Sequence, residues 1–368
     1  MKLIAQVKLL SSKAQHKALL STLEKVNDAA NYISDHAWET RTFRQYDLHH
    51  LLYYDLRQRF GLTAQIVVRV LAKVADAYKL DQSAKRLFKY QGSIAYDKRI
   101  LSWRLPDKTV SIWTINGRLK IHFTAGKQHI ELLKNLAGEA DLVYQDGQFY
   151  LYQTCEIEEP PVADPTGFLG IDLGIKNIAS DSDGETYSGG QVNGLRKRHA
   201  KLQAKLQSKG SKQAKRLLKK RSRKERRFAT YVNHTISKSV VAKAKDTGRG
   251  IALENLKGIR TRITVRKSQR RQQHSWAFSQ LRGFIEYKAR LSGVGVKLVD
   301  PRHTSQTCPV CGCVDKHNRP SQSLFSCVSC KYSALADTVA ATNIGRRANV
   351  NWPNISLAPG GVWAGTSP

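Results

Sequence analysis

Four cysteines in two pairs, Cys308/Cys311 and Cys327/Cys330, stand as C-x2-C-x15-C-x2-C. This spacing falls in the range of a four-thiolate zinc site, in which each C-x2-C turn aims two sulfurs at one tetrahedral centre. Core or disulfide cysteines are the plainer alternative, but two pairs at matched spacing rarely arise that way. Cys313 is a spare thiol that could replace Cys311 as a ligand, and His303 and His317 are further stand-ins. The expectation is one structural Zn²⁺. Seven residues after Cys330 comes Asp337, just ahead of the apolar run AATNI. A metal-closed knuckle would therefore deliver one carboxylate to a fixed place.

Two more acids have a comparable setting. Asp172 ends FLGID and Glu254 ends GIALE, each after an apolar run. A carboxylate at the end of a buried strand is costly unless a cation neutralises it. Asp172, Glu254 and Asp337 brought together would suit hard divalent ions, and Mg²⁺ prefers carboxylate oxygen. Two Mg²⁺ about 4 Å apart can activate a water and stabilise the leaving oxygen of a phosphodiester. Each acid also has an ordinary reading: Asp172 as a turn residue before Gly174, Glu254 as a partner of Lys257, Asp337 as a helix N-cap. Asp181, Asp183, Glu286 and Asp300 are rivals without this placement.

The chain has 368 residues, with 61 Lys and Arg against 29 Asp and Glu, a formal charge of +32. Such a charge repels itself in the compact state and calls for a polyanionic partner. No apolar run of about 18 residues offers to cross a bilayer, so no membrane partner is expected. The N-terminal MKLIAQVKLLSSK alternates in polarity and lacks the apolar stretch of a signal peptide. Six cysteines, four of them in the zinc pattern, fit a reducing cytosol.

The elements that must position these residues follow from periodicity. KLIAQVKL (2–9) alternates like a strand. Apolar positions from His16 to Ala37 and from Ile66 to Val74 recur every three to four residues, which predicts amphipathic helices, with more helix around Tyr46–Leu56. Across 94–158 the period falls to two. Val110–Phe123 predicts a hairpin turning at Asn116-Gly117, and Leu142–Gln153 one turning at Asp146-Gly147. These strands predict a small antiparallel barrel that the N-terminal strand completes, ended by Pro160-Pro161. FLGID then opens a second half, with IKNIAS and ETYS as antiparallel successors. Residues 191–230 hold 16 Lys and Arg and one acid, Glu225, and predict a basic helical hairpin. GIALENL, the helix at 276–291 and VGVKLVD follow. Three hairpin strands, a helix and a parallel fourth strand ending in a carboxylate is the order of an RNase H-like nuclease.

GIDLGIKNIA, ALENLKGI, the HTSQTCPVCG…CVSC knuckle and ADTVAATNI resemble the RuvC-I, RuvC-II, zinc-finger and RuvC-III motifs of TnpB, the OrfB-type protein of insertion sequences related to compact type V CRISPR effectors. The match covers about residues 167–345. The first half resembles the family in arrangement: a wedge strand (1–12), a helical recognition domain (13–93) and the rest of a wedge β-barrel (94–160). By the same resemblance 161–300 is a RuvC-like nuclease domain with the basic hairpin at 191–245, 301–333 a zinc finger, 334–346 the C-terminal RuvC helix and 347–368 a disordered tail. The fold class implied is α/β plus a β-barrel and a helical insert.

The resemblance implies an RNA-guided DNA endonuclease of a transposable element. A guide RNA of the omega type pairs with double-stranded target DNA beside a short protein-read motif, and the RuvC site cuts both strands. Asp172, Glu254 and Asp337 become the ligands of two Mg²⁺. The protein is expected to be a monomer in its RNA complex, in a prokaryotic cytoplasm and associated with the nucleoid. One position departs from the family, which has Asn two residues after the last Asp where this chain has Val339. Some relatives have lost the acids and only bind DNA; this chain keeps all three. A guide-dependent repressor and a transposase accessory protein are the alternatives. Tyr53, Tyr54, Trp103 and Trp113 are candidates to stack on bases, although most such aromatics are core.

Overall fold

The computed structural model describes residues 1–256 and 278–350, and the chain divides into two compact units, Met1–Glu158 and Glu159–Pro368. The first unit opens with strand β1 (Lys2–Leu10) and three helices, α1 (Lys13–Thr40), α2 (Gln45–Phe60) and α3 (Ala64–Leu80). Ser12 caps α1 through a reciprocal pair with Gln15: the Ser12 hydroxyl accepts from the Gln15 amide, and the Gln15 side chain accepts from the Ser12 amide. The helices bury stripes at three- and four-residue intervals, including Leu19, Leu23, Val26 and Ile33 in α1, Leu48, Leu52, Leu56 and Phe60 in α2, and Ile66, Val70 and Val74 in α3.

Six more strands follow: β2 (Ile94–Tyr96), β3 (Leu101–Arg104), β4 (Thr109–Thr114), β5 (Gly117–Thr124), β6 (Leu136–Gln145) and β7 (Gln148–Glu156). A short helix, α4 (Lys127–Leu132), lies between β5 and β6. The sheet order is β2-β6-β7-β1-β5-β4-β3. β1 is therefore central, pairing Val7 with Leu151 on one side and Leu9 with Phe123 on the other. The sheet curls towards closure. Tyr96 on one edge strand donates to the Trp113 carbonyl, and Trp103 on the other donates to the Gln153 amide oxygen. Asp146 and Gly147, both with positive φ, form the β6–β7 turn as the Asp-Gly signal predicts. The β4–β5 turn sits one residue earlier than its Asn-Gly signal. Its loop is Ile115-Asn116, held because the Thr114 hydroxyl accepts from the Asn116 amide and donates to the Gly117 carbonyl.

The second unit contains a five-stranded sheet of β8 (Phe168–Asp172), β9 (Asn177–Asp181), β10 (Thr186–Ser188), β11 (Gly250–Glu254) and β12 (Val296–Val299). Its order is β10-β9-β8-β11-β12; β9 is antiparallel to its neighbours, while β11 runs parallel to both β8 and β12. Between β10 and β11 stand α5 (Gly190–Lys209) and α6 (Lys212–Asp246), the basic hairpin. Gly210 takes the left-handed cap of α5 and Ser211 caps α6. Helix α7 (Phe278–Leu291) precedes β12. A small hairpin, β13 (Leu324–Ser326) and β14 (Ser333–Leu335), precedes α8 (Ala336–Val350). Lys257 and residues 276–277 lie outside the described residues.

The sheet is covered on both faces, which is why β8 and β11 read as continuous apolar runs. Leu169, Ile171, Ile251 and Leu253 face Val240 and Ala244 of α6 and Leu281 and Ile285 of α7. Phe168 and Ala252 face Ile344 and Ala348 of α8. Gly170 lies on this second face, where α8 crosses so closely that a Cβ would stand 1.9 Å from the Ala341 carbonyl oxygen. Gly345 answers it from the helix, its own would-be Cβ 2.9 Å from the Phe168 carbonyl oxygen. Helix α8 continues past residue 346 because Ala348 is buried in this contact, so 347–350 are helix rather than tail. Residues 351–368 of the expected disordered tail lie outside the described residues.

Candidate metal centres

Side chains two apart on a strand share a face, so Asp172 points the same way as Gly170, towards α8. Ile171 pairs with Leu253 in parallel register, which puts Asp172 and Glu254 side by side at the ends of neighbouring strands. Asp337 lies in the first turn of α8, one turn before the Ala341 that touches Gly170. Asp337 is inside the helix rather than at its cap, and Asp172 ends a ladder opposite Ser180. The three acids thus come from two strand ends and one helix start.

Their electrostatics follow from that placement. Burial, then the neighbouring charges of Glu254 and Asp337, push the Asp172 carboxyl up to about 7, against the opposing pull of Arg319 and the Leu173 amide. Burial raises Glu254 as well, opposed by the Thr304 hydroxyl, which donates to Glu254 Oε1 at 2.5 Å, and by Arg347. Asp337 accepts from Asn177 Nδ2 at 2.9 Å through Oδ2, and the Arg319 guanidinium lies 3.5 Å from Oδ1. Among the described residues, no three carboxylates close within 4.8 Å of one another.

Among the described residues, three of the four rival acids are already neutralised; Asp300, whose charge adds to the raising of Glu254, is not. Asp181 is fully buried against Lys243 and accepts the Asp183 and Glu185 amides. Asp183 is held down to about 2, chiefly by Arg249. Glu286 pairs with Arg282 at 2.6 Å, and Asp300 accepts the Arg302 amide at 3.0 Å. Asp172 and Glu254 instead carry raised carboxyls with too few cations, a donor set that fits hard divalent ions such as Mg²⁺.

The second centre is the cysteine cluster. The sulfurs of Cys308, Cys311, Cys327 and Cys330 all lie within 4.8 Å of one another, with Cys308–Cys330 at 3.6 Å and Cys311–Cys327 at 3.5 Å. Zn–S bonds of about 2.3 Å give a tetrahedron whose edge is about 3.8 Å, so the sulfurs fit that ion. The Cys330 and Ser329 amides lower the Cys327 thiol against burial, while at Cys330 the pull of the Tyr332 amide is overcome by burial and the neighbouring thiols, which raise it, so the crowded sulfurs do not all ionise without a cation. His303 and His317 are outside the cluster, their rings against Gln306 and Asp315.

The two centres are joined by residues that the sequence did not single out. Asn318 is fully buried between the cysteine turns, donating to the Gln306 and Cys313 carbonyls and accepting the Val328 amide. The next residue is Arg319, beside Asp337. Asn343 of α8 donates to the carbonyls of Thr304 and Thr307, and Thr304 meets Glu254. Asn177 lies inside the quoted GIDLGIKNIA, and Thr304 opens the knuckle, but neither polar type announces its partner. Arg319 is one of many basic residues, with no signal of its own. Val339, the departure from the family, is buried against Cys308, Phe325 and Cys327, an apolar contact between helix and knuckle.

Of the aromatic candidates, Trp103 packs on the first unit's core, edge-on to Phe123 and bonded to Gln153, and Trp113 is partly buried there. Tyr54 is 81% exposed. It ends a run of touching rings on α2, Tyr46–His50–His49–Tyr53–Tyr54.

Comparison with known proteins adds to this geometry. Residues 152–258 match a family model described as "Probable transposase", of the OrfB type of IS605, and residues 278–344 match the "Cas12f1-like, TNB domain" model. A TnpB-like protein of Methanocaldococcus jannaschii is 34% identical over 199 residues, 50% of this chain and 70% of the relative. The CRISPR-associated endodeoxyribonuclease Cas12f2 of a Micrarchaeota archaeon is 28% identical over 305 residues, 72% of this chain and 56% of the relative, so the chain spans little more than half of that protein. The solved structure of the mini-RNA-guided endonuclease CRISPR-Cas phi3 superposes with a TM-score of 0.53 at 9% identity, over 95% of this chain and 92% of that one, a likeness of fold.

Proposed function

The chain belongs to the TnpB family, and on that premise we propose that it is an RNA-guided DNA endonuclease whose catalytic acids are Asp172, Glu254 and Asp337. The observation that carries this reading is the placement of Asp172, Glu254 and Asp337 at the ends of neighbouring strands β8 and β11 and in the first turn of α8, with the first two acids raised by burial. The strand order β10-β9-β8-β11-β12, with α8 across β8, supports an RNase H-like (RuvC) domain over 161–300 and 334–346, with the zinc finger of 301–333 inserted before its last helix. In the first unit, the curled sheet of 1–12 and 94–160 takes the part of the wedge barrel, and the helices of 13–93 that of the recognition domain.

When bound, two Mg²⁺ supply the Lewis acidity that activates a water and stabilises the leaving oxygen. The protein's part is placement. Asp172 and Glu254 are fixed by parallel strand register. Asp337 is fixed by the Gly170–Gly345 contact and oriented by Asn177. Arg319 offers its guanidinium beside Asp337, where it can also pair with a substrate phosphate brought to the site. The zinc knuckle carries Arg319 and leads into α8, so zinc serves structure and not hydrolysis.

The partners are a guide RNA and double-stranded target DNA. The +32 charge and the α5–α6 hairpin suit phosphate backbones, base pairing supplies sequence, and the exposed rings of α2 suit contact with bases. The name of the Micrarchaeota relative supports DNA as the substrate class. Among the described residues no helix is long and apolar enough to cross a membrane. The working place proposed is the prokaryotic cytoplasm, at the nucleoid, as a monomer in the RNA complex. The test is to express the protein with RNA transcribed from its flanking sequence and present it with a plasmid library. Loss of plasmids that carry a guide match beside one short motif supports the reading; a library left whole overturns it.

A further inference from the structure

The cysteine centre has one thiol more than a tetrahedral ion takes. Cys313 is partly buried and packs against the core that holds Cys308, Phe325, Cys327 and Val339. Its backbone is fixed by the bonds that close the knuckle: the Cys313 carbonyl accepts from the Cys308 amide at 2.9 Å and from Asn318 Nδ2 at 3.1 Å. Cys311, by contrast, is exposed, and only Gly312, at φ 75°, separates it from Cys313. Two thiols from one turn therefore flank one corner of the centre. The histidines flanking the knuckle bond elsewhere.

We propose that Cys313 is a reserve zinc ligand, able to take the corner of Cys311 when that thiolate is lost. The exchange needs rotation of one side chain and leaves the knuckle's backbone bonds in place. The Cys313 sulfur forms the new Zn–S bond and its proton leaves to solvent, so no electron is transferred. The inference rests on the reading of the cluster as a zinc site. It predicts an asymmetry: Cys311, with Cys313 only two residues away, is replaceable, whereas Cys308, at the far end of the same turn from Cys313, is not.

The test measures zinc content and the sulfur-to-cobalt charge-transfer band of Co²⁺-substituted full-length protein. Cys311→Ala and Cys313→Ala are each expected to keep one zinc and the full band of four thiolates. Cys308→Ala and the double variant Cys311→Ala/Cys313→Ala should lose the metal or fall to about three-quarters of the band, one thiolate of four being gone. Cys311→Ala behaving like the double variant overturns the reserve role while leaving the zinc site standing. Wild-type protein that binds no zinc overturns both. Because the double variant differs from Cys311→Ala only at the reserve thiol, an effect of the first substitution on folding is common to both.

Discussion

Asn177 Nδ2 donates to Asp337 Oδ2 at 2.9 Å, tying the start of β9 to the first turn of α8 across 160 residues of sequence. The bond fixes one carboxylate oxygen and leaves the other facing Arg319. Groups that orient a metal ligand are typically worth 10- to 100-fold in affinity or activity. Asn177→Ala should therefore raise the Mg²⁺ concentration needed for half-maximal DNA cleavage by about that factor, with the unfolding midpoint little changed. Asn177→Asp should be worse, since it adds a like charge to the site. An unaltered Mg²⁺ dependence in both variants would remove Asn177 from the site.

The close crossing of α8 over β8 makes Gly170 a position where one methyl group is decisive. A Cβ there would overlap the Ala341 carbonyl oxygen at 1.9 Å and the Gly345 amide nitrogen at 2.5 Å, both backbone atoms of the helix. Gly170→Ala should destabilise the protein by about 3 kcal/mol or more, at or beyond the upper end of ordinary overpacking. It should also separate Asp337 from Asp172. Denaturant unfolding measures the first effect and Mg²⁺-dependent cleavage the second. A variant as stable as wild type would show that the helix does not sit so close.

Asp172 sets a pH dependence whose sign can be worked out. Its folded pKa of about 7 stands above the ordinary 3.8, so between those values the folded protein holds a proton that the unfolded chain has lost. Without divalent ions, stability should fall as pH rises from about 4 to about 7. Divalent ions favour the carboxylate, so their binding should tighten over the same interval and release up to one proton. Calorimetry of Mg²⁺ binding in buffers of different ionisation enthalpy should find that proton at about pH 6 and little of it at about pH 8. Asp172→Asn should lower the release, leaving only what the raised Glu254 contributes. Equal proton release at both pH values would contradict the raised carboxyl.

Asn318 links the zinc knuckle to the acids through the next residue, Arg319. Removing its side chain leaves the Val328 amide without this acceptor and takes one of two donors from each of the Gln306 and Cys313 carbonyls. Unmade buried hydrogen bonds cost about 1–3 kcal/mol each. Asn318→Ala should keep its zinc, melt earlier than wild type and cleave more slowly. Zinc removal by a chelator should lower the melting temperature further, because structural zinc contributes folding free energy. A melting temperature unmoved by verified zinc loss would contradict a structural metal.

The parts of the fold set by side-chain period were legible in the sequence. The alternation of KLIAQVKL, the helical stripe from Leu19 to Ile33 and the apolar FLGID and GIALE each correspond to a described element, because one buried face fixes each pattern. The central position of β1 was not legible, since strand neighbours depend on contacts far apart in the chain. At the candidate centres, charge and spacing pointed to Asp172, Glu254 and Asp337 and to the four cysteines. Asn177, Thr304, Asn318 and Arg319 were invisible because their roles exist only in the partners the fold gives them.

The central claim is that Asp172, Glu254 and Asp337 share divalent cations. Its most direct test is an experimental structure of the protein with Mn²⁺ in place of Mg²⁺, read by anomalous scattering. The account predicts manganese peaks among the oxygens of these three acids, lost in Asp172→Asn. A well-ordered wild-type site with no manganese there, or manganese bound only at other acids such as Asp183 and Glu286, would contradict it.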